Sequence, residues 1–94
     1  MFVSYGILET VARHYGLALD DLQGKGRSQE VAMPRQVAMY LVKELTSASL
    51  PEIGRAFGGK HHTTVLHSIN KIESQRRSDK ELNRTLNRLL DSLG

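Results

Sequence analysis

The chain has 94 residues, which fits one domain with a small core. The sequence lacks cysteine, which excludes disulfides and thiolate metal sites. It also lacks a signal-peptide pattern and an apolar run of the roughly 18 residues that span a membrane, so we expect a cytoplasmic domain without a membrane partner. The net charge is +3, and residues 25–71 carry the excess with seven basic and three acidic side chains, which fits either a nucleic-acid-binding face or an ordinary solvated surface.

Apolar residues recur at helical spacing along most of the chain, whereas the alternation typical of strands is almost absent. Segment 4–24 therefore predicts two N-terminal helices that are separated at Gly16. The basic stretch GKGRS at 24–28 predicts a loop, which together with a long helix from about Gln29 to Leu45 makes up segment 25–45. Pro34 should lie in the first turn of that helix or mark a kink there. The buried face of the long helix is predicted to carry Val37, Ala38, Leu41 and Leu45.

The second half of the chain begins with SLPE at 49–52, which has the Ser-x-x-Glu spacing of a helix capping box. The short helix that follows should end at Gly58 and Gly59, and another should begin near His61 or His62. A second box, SDKE at 78–81, predicts that its serine caps a final helix over 78–93. We therefore expect one all-α domain, 1–94, of about six helices, in which segment 49–74 is a helix-turn-helix.

The second helix of a helix-turn-helix lies in the major groove of DNA, and residues at its N-terminal end contact base edges. In this sequence that end carries four polar side chains, which are the expected base-reading residues: His61, His62, Thr63 and Thr64. Three apolar residues that follow at helical spacing are expected to face the core: Val65, Ile69 and Ile72.

Other chemistries fit this segment poorly. His62 and His67 are five residues apart, whereas zinc-binding helices place two histidines four apart on one face. The stretch GRAFGGK at 54–60 matches most of a phosphate-binding loop, but His61 follows where that loop needs Ser or Thr, and a helix precedes it where the loop needs a strand. We therefore expect no metal, no cofactor and no enzymatic activity in this domain.

Residues 34–73 contain a denser pattern, which reads PRQVAMYL, then LT, SLPEIGRAFG, HHTTV and KI. This stretch closely resembles the C-terminal DNA-binding domain of the bacterial replication initiator family, DnaA. The resemblance implies a Trp-repressor-like helix-turn-helix domain that binds short duplex repeats, the DnaA boxes, at the replication origin. No dimerisation helix is evident in the sequence, so we expect a monomer on one non-palindromic site. It also implies an AAA+ ATPase module upstream in the full-length protein, and a nucleoid-associated location.

The resemblance further implies roles for individual residues. Arg27 of the basic loop matches an arginine that enters the minor groove, and residues 61–64 match the base-reading segment of the recognition helix. Contacts with the phosphate backbone are implied for nine residues: Lys25, Ser28, Arg35, Gln36, Lys43, Leu50, Pro51, Lys60 and His67.

The sequence departs from the family pattern where Lys60 and His61 replace Arg-Asp. A carboxylate accepts a hydrogen bond from the cytosine amino group, whereas a neutral histidine also donates, and lysine lacks the bidentate fork of arginine. We expect that His61 either donates to guanine N7 or O6 or to thymine O4, or else caps its helix or faces a phosphate. Two alternatives to a DnaA-box reader stay open, namely a divergent helix-turn-helix regulator of a different DNA site and a helical protein-interaction domain.

Overall fold

A computed structural model of the chain describes the backbone of residues 5–24 and 29–93, and the side chains of these ranges except Tyr5 and Gln29. Every regular element within these ranges is a helix, which confirms the all-α prediction. The helices are α1 (Tyr5–Tyr15), α2 (Leu19–Gln23), α3 (Gln29–Leu45), α4 (Leu50–Ala56), α5 (His62–Ser78) and α6 (Lys80–Leu93). The predicted DNA contacts of Lys25, Arg27 and Ser28 lie outside the described residues. None of the described helices has both the length and the apolar character that crossing a bilayer requires.

The long helix α3 is the centre of the fold, because α1, α2, α4 and α5 all pack against it. Its middle is buried on nearly every side, and α1 contributes an apolar stripe to the same core. This stripe consists of Ile7, Leu8, Val11 and Ala12, as the spacing predicts. Gly16 then ends α1 with a φ of 67°, a conformation that glycine adopts without a steric cost.

Two expectations about α3 are wrong in detail. Pro34 lies in the second turn of the helix rather than the first, since α3 begins at Gln29. Leu45 is 39% exposed, although its spacing places it on the buried stripe. The apolar periodicity of the sequence continues into the last turn of α3, but the neighbouring helices do not extend far enough to cover Leu45 there.

An arginine network joins the far end of α5 to its neighbours. Arg76 donates to the Tyr40 hydroxyl of α3 at 2.6 Å, and to the side-chain oxygens of Asn83 and Asn87 of α6 at 2.8 and 2.9 Å. The capping of α6 also differs from expectation. Helix α5 continues through residue 78, so Asp79 is the cap, and its carboxylate accepts from the N–H of residue 82 at 3.0 Å.

Candidate nucleic-acid interface

The turn between α4 and α5 is held mainly by one carbonyl group. The Gly54 oxygen accepts hydrogen bonds from the backbone N–H groups of Phe57 at 3.2 Å, Gly59 at 3.0 Å and Lys60 at 2.9 Å. Gly58 and Gly59 have φ values of 81° and 78°, so the turn uses the conformational freedom of glycine. A Cβ atom at position 54 would collide with the carbonyl oxygen of Lys60. Glycine is therefore the residue that allows α4 to lie this close to the start of α5.

The start of α4 is fixed by the predicted capping box. The N–H of Ser49 donates to Oε1 of Glu52 at 2.8 Å, and the N–H of Glu52 donates to Oγ of Ser49 at 3.2 Å. The backbone hydrogen bond from Ser49 lowers the pKa of the Glu52 carboxyl below its ordinary value of 4.5. At the other end of α4, the fully buried ring of Phe57 anchors the turn in the core. Both ends of α4 are thus fixed, the start by the capping box and the end by the buried Phe57 ring.

His61 is the N-cap of α5. Its Nδ1 accepts a hydrogen bond from the Thr63 N–H at 3.2 Å, and Thr63 Oγ1 lies 2.8 Å from the same nitrogen. The ring of His62 stacks on that of His61 with 4.3 Å between centroids and a tilt of 31°. The structure therefore shows the expected cap, and base reading by His61 stays a prediction. The capping bond uses one ring nitrogen and leaves Nε2 without a hydrogen bond inside the described part of the chain.

The four predicted base-reading residues, 61–64, lie together and exposed at the start of α5. Val65 and Ile72 are fully buried and Ile69 is half-buried, which confirms the predicted apolar stripe behind them. Sequence reasoning missed Leu66, which is 40% exposed. A leucine three residues after Thr63 lies on the same helix face as that threonine, so its spacing is the signal that identifies it.

A shallow depression of about 140 Å³ lies where α3 meets the start of α5. Gln36 of α3 lines it together with Lys60 and Thr64 of the helix-turn-helix. Oε1 of Gln36 is buried and has no hydrogen-bond partner among the described residues, which is unfavourable until a donor reaches it. The fold therefore brings Gln36 and Lys60, two predicted phosphate contacts that are distant in sequence, to one place beside the recognition helix.

Arg35 has a role in the fold that the sequence did not indicate. Its side chain is only 6% exposed, and it donates from Nε to the Leu22 carbonyl oxygen at 3.1 Å and from Nη2 to the Asp21 carbonyl oxygen at 2.8 Å. Carbonyl groups in the last turn of a helix lack partners within the helix, so Arg35 caps the C-terminal end of α2 by donating to two of them. These bonds direct its described donors toward α2, and a phosphate contact by Arg35 stays a prediction.

The other predicted backbone contacts are at helix ends or on the exposed face of α5. Lys43 is exposed in the last turn of α3, Leu50 is half-buried and Pro51 exposed in the first turn of α4, and His67 is exposed on α5. The structure does not test their contacts with DNA, nor those of Gln36 and Lys60. Within residues 5–24 and 29–93, no group of three or more His, Cys, Asp or Glu side chains is arranged to hold a metal ion.

Comparison with known protein families identifies a match over most of the chain. Residues 5–72 match the family described as bacterial dnaA protein helix-turn-helix. The chain is 52% identical over 86 residues to the chromosomal replication initiator protein DnaA of Thermus thermophilus, across 92% of this chain and 20% of that protein. It is 53% identical over 87 residues to DnaA of Bordetella pertussis, across 93% of this chain and 19% of that protein. The chain thus spans about a fifth of the length of these relatives.

Solved structures give the same relationship in three dimensions. A crystal structure of a DNA replication initiation factor superposes with a TM-score of 0.81 at 34% identity, over 93% of this chain and 26% of that one. Replication initiator DnaA bound to AMPPCP and single-stranded DNA superposes with a TM-score of 0.75, also at 34% identity, over 96% of this chain and 28% of that one. The described helical arrangement is therefore shared with replication initiators.

Proposed function

Since this chain belongs to the bacterial DnaA helix-turn-helix family, we propose that it binds duplex DNA sequence-specifically and recognises DnaA-box-like repeats at the replication origin. The observation that carries the proposal is the start of α5, where four exposed polar side chains follow a capped and glycine-fixed turn. A side chain can discriminate between bases only if its backbone is held in register with the groove. Residues 61–64 meet this condition, because the turn fixes them on one side and the buried stripe of α5 on the other.

The proposed binding mode places the N-terminal end of α5 in the major groove. The N–H groups at this end carry partial positive charge, and Lys60 adds a full charge just before it, which favours nearby phosphates. The side-chain amide nitrogen of Gln36 can donate to a phosphate oxygen at the depression that it lines with Lys60. We assign sequence reading to residues 61–64, and phosphate positioning to Lys60, Gln36 and His67.

The basic loop completes the proposal. We assign Arg27 to the minor groove and its neighbours Lys25 and Ser28 to the backbone, because narrow minor grooves have a strong negative potential that attracts arginine. The exposed side chains of Leu66 and Thr63 offer apolar carbon at the groove-facing surface of α5, which suits contact with thymine methyl groups.

The whole protein is proposed to contain an AAA+ ATPase module before this domain. The relatives are about five times longer than this chain, and one related initiator structure contains the nucleotide analogue AMPPCP. In this arrangement the described domain supplies DNA recognition and no catalysis, and it needs no cofactor of its own. In this proposal, initiation of chromosome replication requires both modules. The protein is nucleoid-associated because it binds DNA.

The test is fluorescence anisotropy with a labelled DnaA-box duplex, a scrambled duplex and the corresponding single strand. We expect the box duplex to bind most tightly, with log K falling by about 0.9 per neutralised phosphate for each unit of log salt. His62→Ala should weaken binding to the box duplex by about 5- to 150-fold and change binding to the scrambled duplex much less. His14→Ala, at an exposed histidine of α1, is the matched control and should change neither.

Equal affinity for the box and scrambled duplexes would contradict box recognition. In that case a selection from random duplexes separates the remaining possibilities. A different enriched site would identify a divergent helix-turn-helix regulator, which the Lys60-His61 pair favours as the second candidate. No enrichment and no salt-dependent binding would leave a protein-interaction domain.

A further inference from the structure

The bonds at the start of α5 determine which nitrogen of the His61 ring carries the proton. A neutral imidazole has one N–H donor and one acceptor nitrogen, and the hydrogen bond at one nitrogen decides the state of the other. The backbone N–H of Thr63 is a donor only, and it points at Nδ1 of His61 at 3.2 Å. A proton on Nδ1 would face this N–H directly, so the cap requires an unprotonated Nδ1.

The Thr63 hydroxyl strengthens this assignment. Its oxygen lies 2.8 Å from Nδ1, so with an unprotonated nitrogen the hydroxyl donates its proton to the same acceptor. Both donors of Thr63 then share the single lone pair of Nδ1, with the hydroxyl at the shorter distance. The alternative tautomer satisfies the hydroxyl oxygen but leaves the backbone N–H opposed to a second N–H, at the helix end where free N–H groups most need acceptors.

We infer that the helix cap fixes His61 as the Nε2–H tautomer, so that this residue presents a hydrogen-bond donor to the major groove and selects a base with an acceptor there. Nε2 is on the side of the ring away from the cap, His61 is exposed, and the stacked ring of His62 restricts the ring plane. Guanine offers N7 and O6 and thymine offers O4, whereas cytosine offers an amino donor and no acceptor. This inference rests on the proposed function, since it concerns the same recognition helix.

The same geometry gives Thr63 the opposite polarity. Its hydroxyl proton is used in the bond to Nδ1, so the oxygen keeps only lone pairs for a base edge. The start of α5 therefore presents a donor at His61 and an acceptor at Thr63. An aspartate at position 61 would also cap the helix, but it would present acceptors only and would favour the cytosine amino group.

The first arm of the test measures the tautomer in the free protein, without DNA. Long-range ¹H–¹⁵N NMR in mildly alkaline buffer distinguishes a protonated from an unprotonated ring nitrogen, and His61→Asn assigns the signals by removing one ring. We expect an unprotonated Nδ1 and a protonated Nε2 for His61. The reverse assignment would overturn the inference, whatever the protein does with DNA.

The second arm is a random-duplex selection with the wild-type chain and with His61→Asp, which keeps a capping acceptor and removes the donor. We expect guanine or thymine at one contacted position for the wild type, a preference over cytosine of about 5- to 20-fold in direct binding, and a shift toward cytosine for the variant. An unchanged consensus in the variant means that His61 donates to a phosphate or to nothing, and this overturns the inference while box recognition stands. Failure of both proteins to enrich any duplex, with the expected tautomer, contradicts the proposed function instead.

Discussion

Arg76 is expected to contribute strongly to the stability of the fold through its hydrogen bonds to α3 and α6, and Arg76→Met is the change that measures this contribution. The variant keeps an apolar stem of similar length and removes the guanidinium fork. That fork makes hydrogen bonds of 2.6 Å to Tyr40, 2.8 Å to Asn83 and 2.9 Å to Asn87, and its carbon lies 5.7 Å from the centroid of the Tyr40 ring. Three helices are therefore joined through one side chain.

The size of the effect follows from burial. Tyr40 is only 2% exposed and its hydroxyl also has a side-chain hydrogen bond with Glu73, so Arg76→Met removes one charge-assisted hydrogen bond at a partly buried place, which costs about 1–2 kcal/mol. The bond to Asn83 is partly buried and the bond to Asn87 is exposed, and each contributes about 0.5 kcal/mol. Arg76→Met should therefore lower the free energy of unfolding by about 2–3 kcal/mol. For a domain of this size that corresponds to a melting temperature lower by roughly 10–20 °C.

A double-mutant cycle with Tyr40→Phe isolates the pair, measured by urea unfolding that is checked for two-state behaviour. We expect a coupling free energy of about 1–2 kcal/mol between Arg76 and Tyr40, because each single variant already breaks their hydrogen bond and the double variant cannot break it again. Arg77→Met, at the exposed neighbouring arginine, is the control and should change stability by less than about 0.5 kcal/mol. A coupling within about 0.3 kcal/mol of zero would refute the reasoning, since the two side chains would then act independently.

Three further predictions concern the helix-turn-helix. Gly54→Ala should destabilise the domain by about 1–3 kcal/mol in thermal unfolding and weaken binding to the box duplex, because the new methyl group collides with the Lys60 carbonyl. A variant as stable as the wild type would mean that the backbone of the turn moves aside at no cost. Because the pKa of Glu52 is lowered in the folded protein, its carboxylate stabilises the fold above about pH 4.5, and this stability is lost as the pH falls through the folded-state pKa. Glu52→Gln should therefore have a lower melting temperature than the wild type at neutral pH, and the two melting temperatures should converge in acid. A difference in melting temperature that stays constant with pH would argue against this linkage. Lys60→Ala should weaken binding on all duplexes and reduce the salt slope by about 1, whereas Lys80→Ala, at the exposed start of α6, should not.

Local signals in the sequence predicted most of the fold. The Ser49–Glu52 box, the paired glycines of the turn and the apolar stripe of α5 all depend on residues within a few positions of one another, and the structure confirms each of them. The second box was wrong by one residue. Ser78 and Asp79 are both good caps, and the choice between them depends on how far α5 extends, which is set by packing against α3 and α6.

The remaining features depend on partners that are distant in sequence. Arg35 was interpreted as a DNA contact because its PRQ segment resembles the family pattern, yet its side chain donates to carbonyl groups of α2 that lie 13 and 14 residues away. Arg76 meets Tyr40 across 36 residues, and no spacing rule connects them. The cap at His61 was one of several expectations for that residue, since histidine is not among the preferred N-cap residues and its role depends on its own rotamer.

Lys60 and His61 are adjacent in the chain, yet they should contribute to different components of DNA binding. A lysine before a helix N-terminus acts through charge on phosphates, which every duplex presents, so its contribution is sensitive to salt and indifferent to sequence. The donor that we propose at His61 Nε2 would act on one base edge, so its contribution should depend on sequence and little on salt. Because the Gly54 carbonyl holds the Lys60 N–H and Thr63 holds the His61 ring, both side chains project from backbone that is fixed before DNA arrives. In the proposed binding mode, affinity and specificity therefore have separate physical origins one residue apart, so substitutions at positions 60 and 61 should change them independently.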